Sequence, residues 1–363
     1  MPLHDFLSSE ILRSSILPRA LRHWSKQLYS ILGAALVMLC FGGEPALIHA
    51  QPVLKFSHYS LEEGLSQSTA FCILQDKRGF VWVGTQDGLN RFDGYTFTVF
   101  RSSVQAGSIS DSHVQALYED KNGMLWIGTK NGSLSVFDYT TEKFTNFGVG
   151  QSPTGTRSET LPNAPGTDIR AIAEDASGAL WLATNDGLGK FDRTSHTFTA
   201  YKNFGIASQA TSVNASPLVN DLYALAPDAN GTLWLGTFEG LVKFSTQSGE
   251  SQIFRKELSN HKVRSLLLSK TSNLLWIGTE GGLNLLDKSR QTFRSFRQEA
   301  PQLQVFSADN IRALCEDRLG KLWVGTYGEG LCQYDPATNT FTAHKTDETR
   351  STSINKDRKS TRL

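Results

Sequence analysis

The sequence predicts an all-β fold of repeated four-stranded antiparallel sheets, and three observations carry that prediction. A Trp-x-Gly-Thr signature (Trp-Leu-Ala-Thr in its third copy) recurs at Trp82, Trp126, Trp181, Trp234, Trp276 and Trp323, at spacings of 44, 55, 53, 42 and 47 residues. Periods of this size mark units that bury their hydrophobic faces against one another. Ahead of each tryptophan runs an alternating stretch such as Val114-Gln115-Ala116-Leu117-Tyr118, and behind it come a turn and a third short strand. Helical periodicity is absent throughout the repeats. Four short strands joined by turns compose one blade of a β-propeller, and the chain holds six such units.

Each column of the repeat has a physical role. Three residues after Trp stands Thr85, Thr129, Thr184, Thr237, Thr279 or Thr326; two after it stands Gly84, Gly128, Ala183, Gly236, Gly278 or Gly325. Glycine inside a strand marks close approach by a neighbour, and the expectation is an aromatic residue of the adjoining sheet. Three residues before Trp lies Gly79, Gly123, Gly178, Gly231, Asn273 or Gly320, the residue types that enter the left-handed region cheaply. Six before it stands Asp76, Asp120, Asp175, Asp228, Lys270 or Asp317, read as turn formers that bond their own backbone amides. The fifth repeat departs twice, at Lys270 and Asn273, so its hairpin is expected to be the least regular. Aromatic pairs such as Phe97/Phe100, Phe144/Phe147, Phe198/Tyr201 and Phe293/Phe296 read as the outer strand.

The six tryptophans read as blade-to-blade core, burying about 150–250 Å² each. Chemistry needs one special place, and these residues occupy six equivalent ones. A net charge of +1 gives no broad electrostatic footprint for nucleic acid. No cofactor and no metal is expected, because the cysteine spacings fit no zinc pattern. Cys72, Cys315 and Cys332 read as buried thiols, with a Cys315–Cys332 bridge as the alternative.

The ends read as separate objects. Residues 1–50 are expected to be a signal peptide: Arg19, Arg22 and Lys26 precede an apolar run from Ile31 to Gly43, and Ile48-His49-Ala50 offers a cleavage site. An uncleaved anchor is the other reading, although the run is short against the roughly 20 residues of a membrane span. The propeller is placed at 51–345. Residues 346–363 form a polar tail in which Ser351-Thr352-Ser353-Ile354-Asn355 has the look of the lead-in to a truncated further repeat.

The opening Phe56-Ser57-His58-Tyr59-Ser60-Leu61-Glu62-Glu63-Gly64-Leu65-Ser66, together with Glu-Asp-x-x-Gly-x-Leu-Trp-x-Gly-Thr units at 119–129 and 316–326, resembles the two-component regulator propeller family over about residues 53–345. The resemblance implies the periplasmic sensor region of a bacterial histidine kinase or diguanylate cyclase receptor, non-catalytic here, the output module lying outside the sequence. It also implies a seven-bladed ring of which these six blades are part, with Phe56–Ser60 as the outer strand of the last blade. An exported, membrane-linked protein follows, with a small-molecule partner such as a carbohydrate and room for a homodimer. The rival readings are a lyase resembling streptogramin lyases, its base drawn from His58, His113, His196, His261 or His344, and a periplasmic interaction scaffold.

Ligand residues are expected on the turns that follow each threonine, because these join equivalent strands and project on one face. Their residues vary on an otherwise repeated scaffold: Gln86 and Asp87, Lys130 and Asn131, Asn185 and Asp186, Phe238 and Glu239, Glu280, then Tyr327 and Glu329.

Overall fold

Alternating apolar residues become strands because one face of each is buried against a neighbour. In the computed structural model the described residues are 56–131, 133–148, 166–205, 217–270, 272–296, 310–328 and 330–344. The expected signal segment, the polar tail and Glu329 lie outside them. Among the described residues, six four-stranded antiparallel sheets follow one another, each with its strands in sequence order. The first strands are Ala70–Gln75, Val114–Glu119, Ile169–Glu174, Leu222–Asp228, Val263–Leu268 and Ile311–Glu316. The second strands are Val81–Thr85, Leu125–Thr129, Leu180–Thr184, Thr232–Thr237, Leu274–Thr279 and Leu322–Thr326, each carrying its signature tryptophan. The third are Gly88–Phe92, Ser133–Asp138, Gly187–Asp192, Gly240–Ser245, Gly282–Asp287 and Leu331–Asp335; the fourth are Phe97–Phe100, Lys143–Gly148, Thr197–Tyr201, Ser251–Phe254, Thr292–Phe296 and Thr340–His344. The blades stand in a ring whose first strands line one central channel.

Second strands such as Leu125–Thr129 and Leu180–Thr184 are buried at every residue, because blades cover both of their faces. The repeated threonine closes the following turn: Thr85 Oγ1 donates to Gly88 O at 3.0 Å and accepts from the Asp87 amide at 3.1 Å. Thr184, Thr237 and Thr279 repeat that donation at 2.8–2.9 Å.

The aspartates do more than form turns. Asp76 Oδ1 accepts from the Arg78 and Phe80 amides, while its Oδ2 accepts from Trp82 Nε1 at 2.8 Å. The same carboxylate-to-indole bond joins Asp120 to Trp126, Asp175 to Trp181, Asp228 to Trp234 and Asp317 to Trp323, at 2.7–3.0 Å. In the fifth blade Lys270 supplies no carboxylate. Asn273 is not among the described residues with positive φ, contrary to expectation. The hairpin there is longer: Leu268 pairs with Leu275, seven positions on, whereas Glu119 pairs with Leu125, six positions on.

The indoles of blades 1 to 5 insert into the next blade. Trp82 meets Phe137, Trp126 meets Phe191, Trp181 meets Phe244 and Trp276 meets Tyr334, with ring centroids 5.1–5.9 Å apart. Trp234 shares a buried cluster with Leu286. The next blade also reaches back to the carboxylate, through Tyr139 Oη to Asp76, Arg193 to Asp120 and Lys288 to Asp228, at 2.7–2.9 Å. The strand glycines are not pressed by aromatic rings as expected. A methyl added at Gly84 would lie 2.6 Å from Val114 Cγ1, and one at Gly128 would lie 2.5 Å from Ile169 Cγ2. The neighbour is the β-branched residue that opens the next first strand, since the blades approach too closely there for a ring.

Five buried clusters fill the five junctions between consecutive blades. Trp323 belongs to none of them; it is half-buried and stacks on His344 of its own blade at 5.7 Å. Phe92, the blade 1 counterpart of Phe137, is met by Tyr59 at 5.0 Å instead of by an indole. The Phe56–Ser60 segment is therefore a cover on blade 1, and it forms no strand with blade 6. Cys315 is exposed rather than buried, and among the described residues no disulfide joins it to Cys332.

Two outcomes are expected. Trp126→Ala should cost about 3–5 kcal/mol in denaturant unfolding, and Trp323→Ala under half as much, since its ring fills no junction. Burial acts to raise the carboxyls of Asp120, Asp175, Asp228 and Asp317, but hydrogen bonds outweigh it and hold all four below the usual range: first the Ser177 hydroxyl at Asp175 and Lys288 at Asp228, and at each the indole and backbone amides. Depressed folded values stabilise the protein above the unfolded carboxyl value of about 3.9 and are lost as pH falls through the folded ones. The thermal midpoint should thus be flat above about pH 5 and drop below about pH 4, with a shallower acid limb in Asp120→Asn.

Candidate functional site

Every first strand carries an irregularity at the same place. Pairing with the second strand skips one residue in each blade: Phe71, Gln115, Arg170, Tyr223, Arg264 and Arg312. A β-bulge leaves its extra residue out of the ladder and re-aims the side chain. The six bulged residues and the two that follow each of them line a cavity of about 330 Å³ in the channel. The residue after each bulge is small (Cys72, Ala116, Ala171, Ala224, Ser265, Ala313), which keeps the bore open.

The bulged residues gather partners at the mouth. Arg170 donates to Asp168 at 3.0 Å and Asp221 at 2.5 Å; burial works against its charge, but the two carboxylates raise its pKa. Tyr223 lies between two guanidiniums, Arg170 at 4.4 Å and Arg264 at 3.9 Å from its ring centre, and donates its hydroxyl to Asp221. Burial, then that hydrogen bond, raises its phenol pKa. Arg264 Nε donates to Glu280 at 2.8 Å, and Lys262 reaches the same carboxylate at 3.2 Å. Arg312 stands 3.8 Å from Glu280 and 5.3 Å from the Tyr327 ring, its pKa lowered by burial and by Arg264. His113 stacks on Phe71 at 4.7 Å, its pKa lowered by burial and then by Lys130. Five buried polar atoms here have no hydrogen-bond partner: His113 Nε2, Asp168 Oδ1, Ser265 Oγ, Asn310 Oδ1 and Arg312 Nε. Native interiors leave few such atoms, and clustering of them points to a polar occupant.

The turn residues divide into two groups. The first residue of each turn stands on the channel side in blades 4 to 6, where Phe238 lies under Lys262 (4.5 Å) and near Arg264, Glu280 binds the cations, and Tyr327 is 53% exposed beside Arg312. Asn185 Oδ1 instead accepts from the Thr167 and Asp168 amides, and Gln86 is exposed. Lys130 donates its amide to His113 O. The second residues face the outer strands: Asp87 pairs with Arg101, Asp186 with Lys202 and Glu239 with Arg255, while Asn131 bonds Asp111. Glu329 lies outside the described residues. Arg170, Tyr223, Arg264 and Arg312 were not singled out from sequence. Their signal is a column 11 residues before Trp (12 in the fifth repeat) that varies while its neighbours stay small or aliphatic. The remaining histidines are scattered: His196 lies near Phe147 and Phe191, His261 near Phe238, His344 on Trp323, and His58 is exposed.

A family profile described as Two component regulator propeller matches residues 64–87, 108–131, 163–186, 217–239 and 306–328. These are the blade openings of five repeats, through the Trp signature of each. Five of the six blades carry the two component regulator propeller repeat. The unmatched blade is the fifth, the one with Lys270 and the longer hairpin. A 48-residue stretch of this regulator propeller is 52% identical to Histidine kinase P4 of Formosa agariphila, spanning 13% of this chain and 4% of that protein. The fold is similar to a structure described as the extracellular domain of a hybrid two component system from B. thetaiotaomicron, with TM-score 0.66 and 24% identity over 83% of this chain and 38% of that one. It is also similar to a catalytically inactive virginiamycin B lyase from Staphylococcus aureus solved with quinupristin, with TM-score 0.54 and 17% identity over 74% and 80% of the two chains. At these identities the structural likeness is one of fold. The chain spans well under half the length of the kinase and of the receptor domain.

The histidine at the mouth offers a direct check on this geometry. In NMR titration, His113 should change charge below the ordinary histidine value of about 6.5, and Phe71→Ala, which opens its stack to water, should move the midpoint back up.

Proposed function

We propose that this propeller is the ligand-recognising, non-catalytic part of an exported bacterial signalling receptor, its kinase or cyclase output carried by other parts of that receptor. One observation carries the reading: six bulges, at one register position, bring six side chains of four kinds to one channel. A purely structural channel has no use for three arginines and a tyrosine held out of the ladder there. Ligand sites are concave and combine apolar walls with a few placed polar groups, and this mouth has both. A small saccharide is the occupant we favour, because aromatic faces at Tyr327 and Phe238 adjoin hydrogen-bonding groups. The periplasmic location and the membrane link belong to the same proposal; among the described residues no helix is long and apolar enough to cross a membrane.

The lyase reading draws on two histidines beside the mouth, His113 on Phe71 and His261 near Phe238. Burial lowers the His113 pKa, but general-base work also needs an acid or metal placed in hydrogen-bond reach of the imidazole. Among the described residues no group of three metal-ligating side chains is present.

A panel of mono- and disaccharides screened by thermal shift should yield a ligand that raises the melting temperature of the chain. Tyr327→Ala and Phe238→Ala should each weaken its binding about 10-fold or more, the scale of a lost stacking contact with its polar neighbour. Unchanged affinity in both variants, or turnover of the ligand by the purified chain, would overturn the proposal.

A further inference from the structure

The charge at the mouth is uneven, and we infer from it that the ligand bears an anionic group, a carboxylate or a sulfate ester, seated on the Arg312 side. The inference rests on the mouth being the recognition site and adds the chemistry of its occupant.

On the blade 5 and 6 side, one carboxylate serves three cations. Glu280 is held by Arg264 through two N–H groups and by Lys262 at 3.2 Å, which leaves Arg312 at 3.8 Å, beyond hydrogen-bond length. Arg312 Nε is buried and has no acceptor. Across the ring the balance reverses, because Arg170 sits between the carboxylates of Asp168 and Asp221. Among the described residues the mouth is therefore polarised, positive along blades 5 and 6 and negative along blades 3 and 4.

A guanidinium whose fork is unfilled matches a planar or tetrahedral oxyanion through two parallel N–H bonds. The Arg312 side chain is 29% exposed, so such an anion reaches it while remaining partly shielded from water. Tyr327, beside it, offers a flat exposed face for the body of the ligand. Asp168 Oδ1, an acceptor without a donor on the opposite arc, sets the complement: hydroxyl or ammonium donors at the far end of the same molecule. A uniformly cationic ligand would meet the uncompensated charge of Arg312, and a neutral one would leave the Arg312 fork unfilled.

Isothermal titration of the full chain tests this with a glucuronate-containing disaccharide, a sulfated disaccharide and the neutral counterpart of each. At least one acidic probe should bind about 10- to 100-fold tighter than its neutral counterpart, the range of a charge-assisted contact, and the preference between the two acidic arms identifies the anion. Arg312→Gln should remove that advantage, Arg312→Lys should restore part of it, and added salt should shrink it. Melting curves of the two variants check that both are folded. Neutral probes that bind as tightly as acidic ones, weakened by Tyr327→Ala and untouched by Arg312→Gln, would overturn the anion assignment and leave the mouth in place. Binding of no acidic probe would overturn it as well. Binding that neither variant alters would remove both the assignment and the mouth.

Discussion

The fold depends on a buried carboxylate that holds an indole by its only polar atom. An indole N–H left without an acceptor in a dry junction costs about 1–3 kcal/mol, a large share of what its packing contributes. Asp120 removes that cost for Trp126, and Arg193 of the following blade then pairs with the same carboxylate. Turn, core and neighbour thus meet at one side chain. The arrangement recurs at Asp76 and Asp228 with Tyr139 and Lys288 in the role of Arg193, so what recurs is the carboxylate, while its outer partner changes. Blade 5 shows what happens without it: Trp276 is still buried against Tyr334, but the hairpin is longer and the family profile passes over the blade.

A ring built this way leaves its inner edge free to carry the site proposed for recognition. All four strands contribute to the junctions, the first strands through Val114, Ile169, Leu222, Val263 and Ile311, while the bulged residue beside each of these stays out of the buried clusters. Small residues after the bulge keep the bore open while the bulged residue is free to vary. Junction packing and the proposed recognition therefore fall on neighbouring residues of the same first strand, and Arg264 and Arg312 belong to none of the five junction clusters.

The repeated columns were legible because repetition makes a physical requirement visible: Trp, Thr, Asp and the turn glycines each stand where the structure uses them. The partner of Gly84 was not, since a small residue reports that something is near but not whether it is Val114 or a ring. The carboxylate-to-indole bond was missed because Asp76 and Trp82 sit in different parts of a hairpin, and a turn role alone accounts for aspartate there. The mouth was half legible. Variation on a constant scaffold points to Phe238, Glu280 and Tyr327, yet the same test picks out Asp87 and Asp186, whose partners Arg101 and Lys202 lie 14 and 16 residues later on the outer side. Arg170, Arg264 and Arg312 look like ordinary polar positions of an alternating strand until the register shows them bulged.

The exchange rates of the indole protons test the central interaction directly. In a heteronuclear NMR experiment in deuterated buffer, the Nε1–H signals of Trp82, Trp126, Trp181 and Trp234 should persist long after that of Trp323 has gone, because four are bonded to carboxylates inside filled junctions and the fifth is bonded but half open to water. Equal and rapid exchange of all five would contradict the anchored-indole ring.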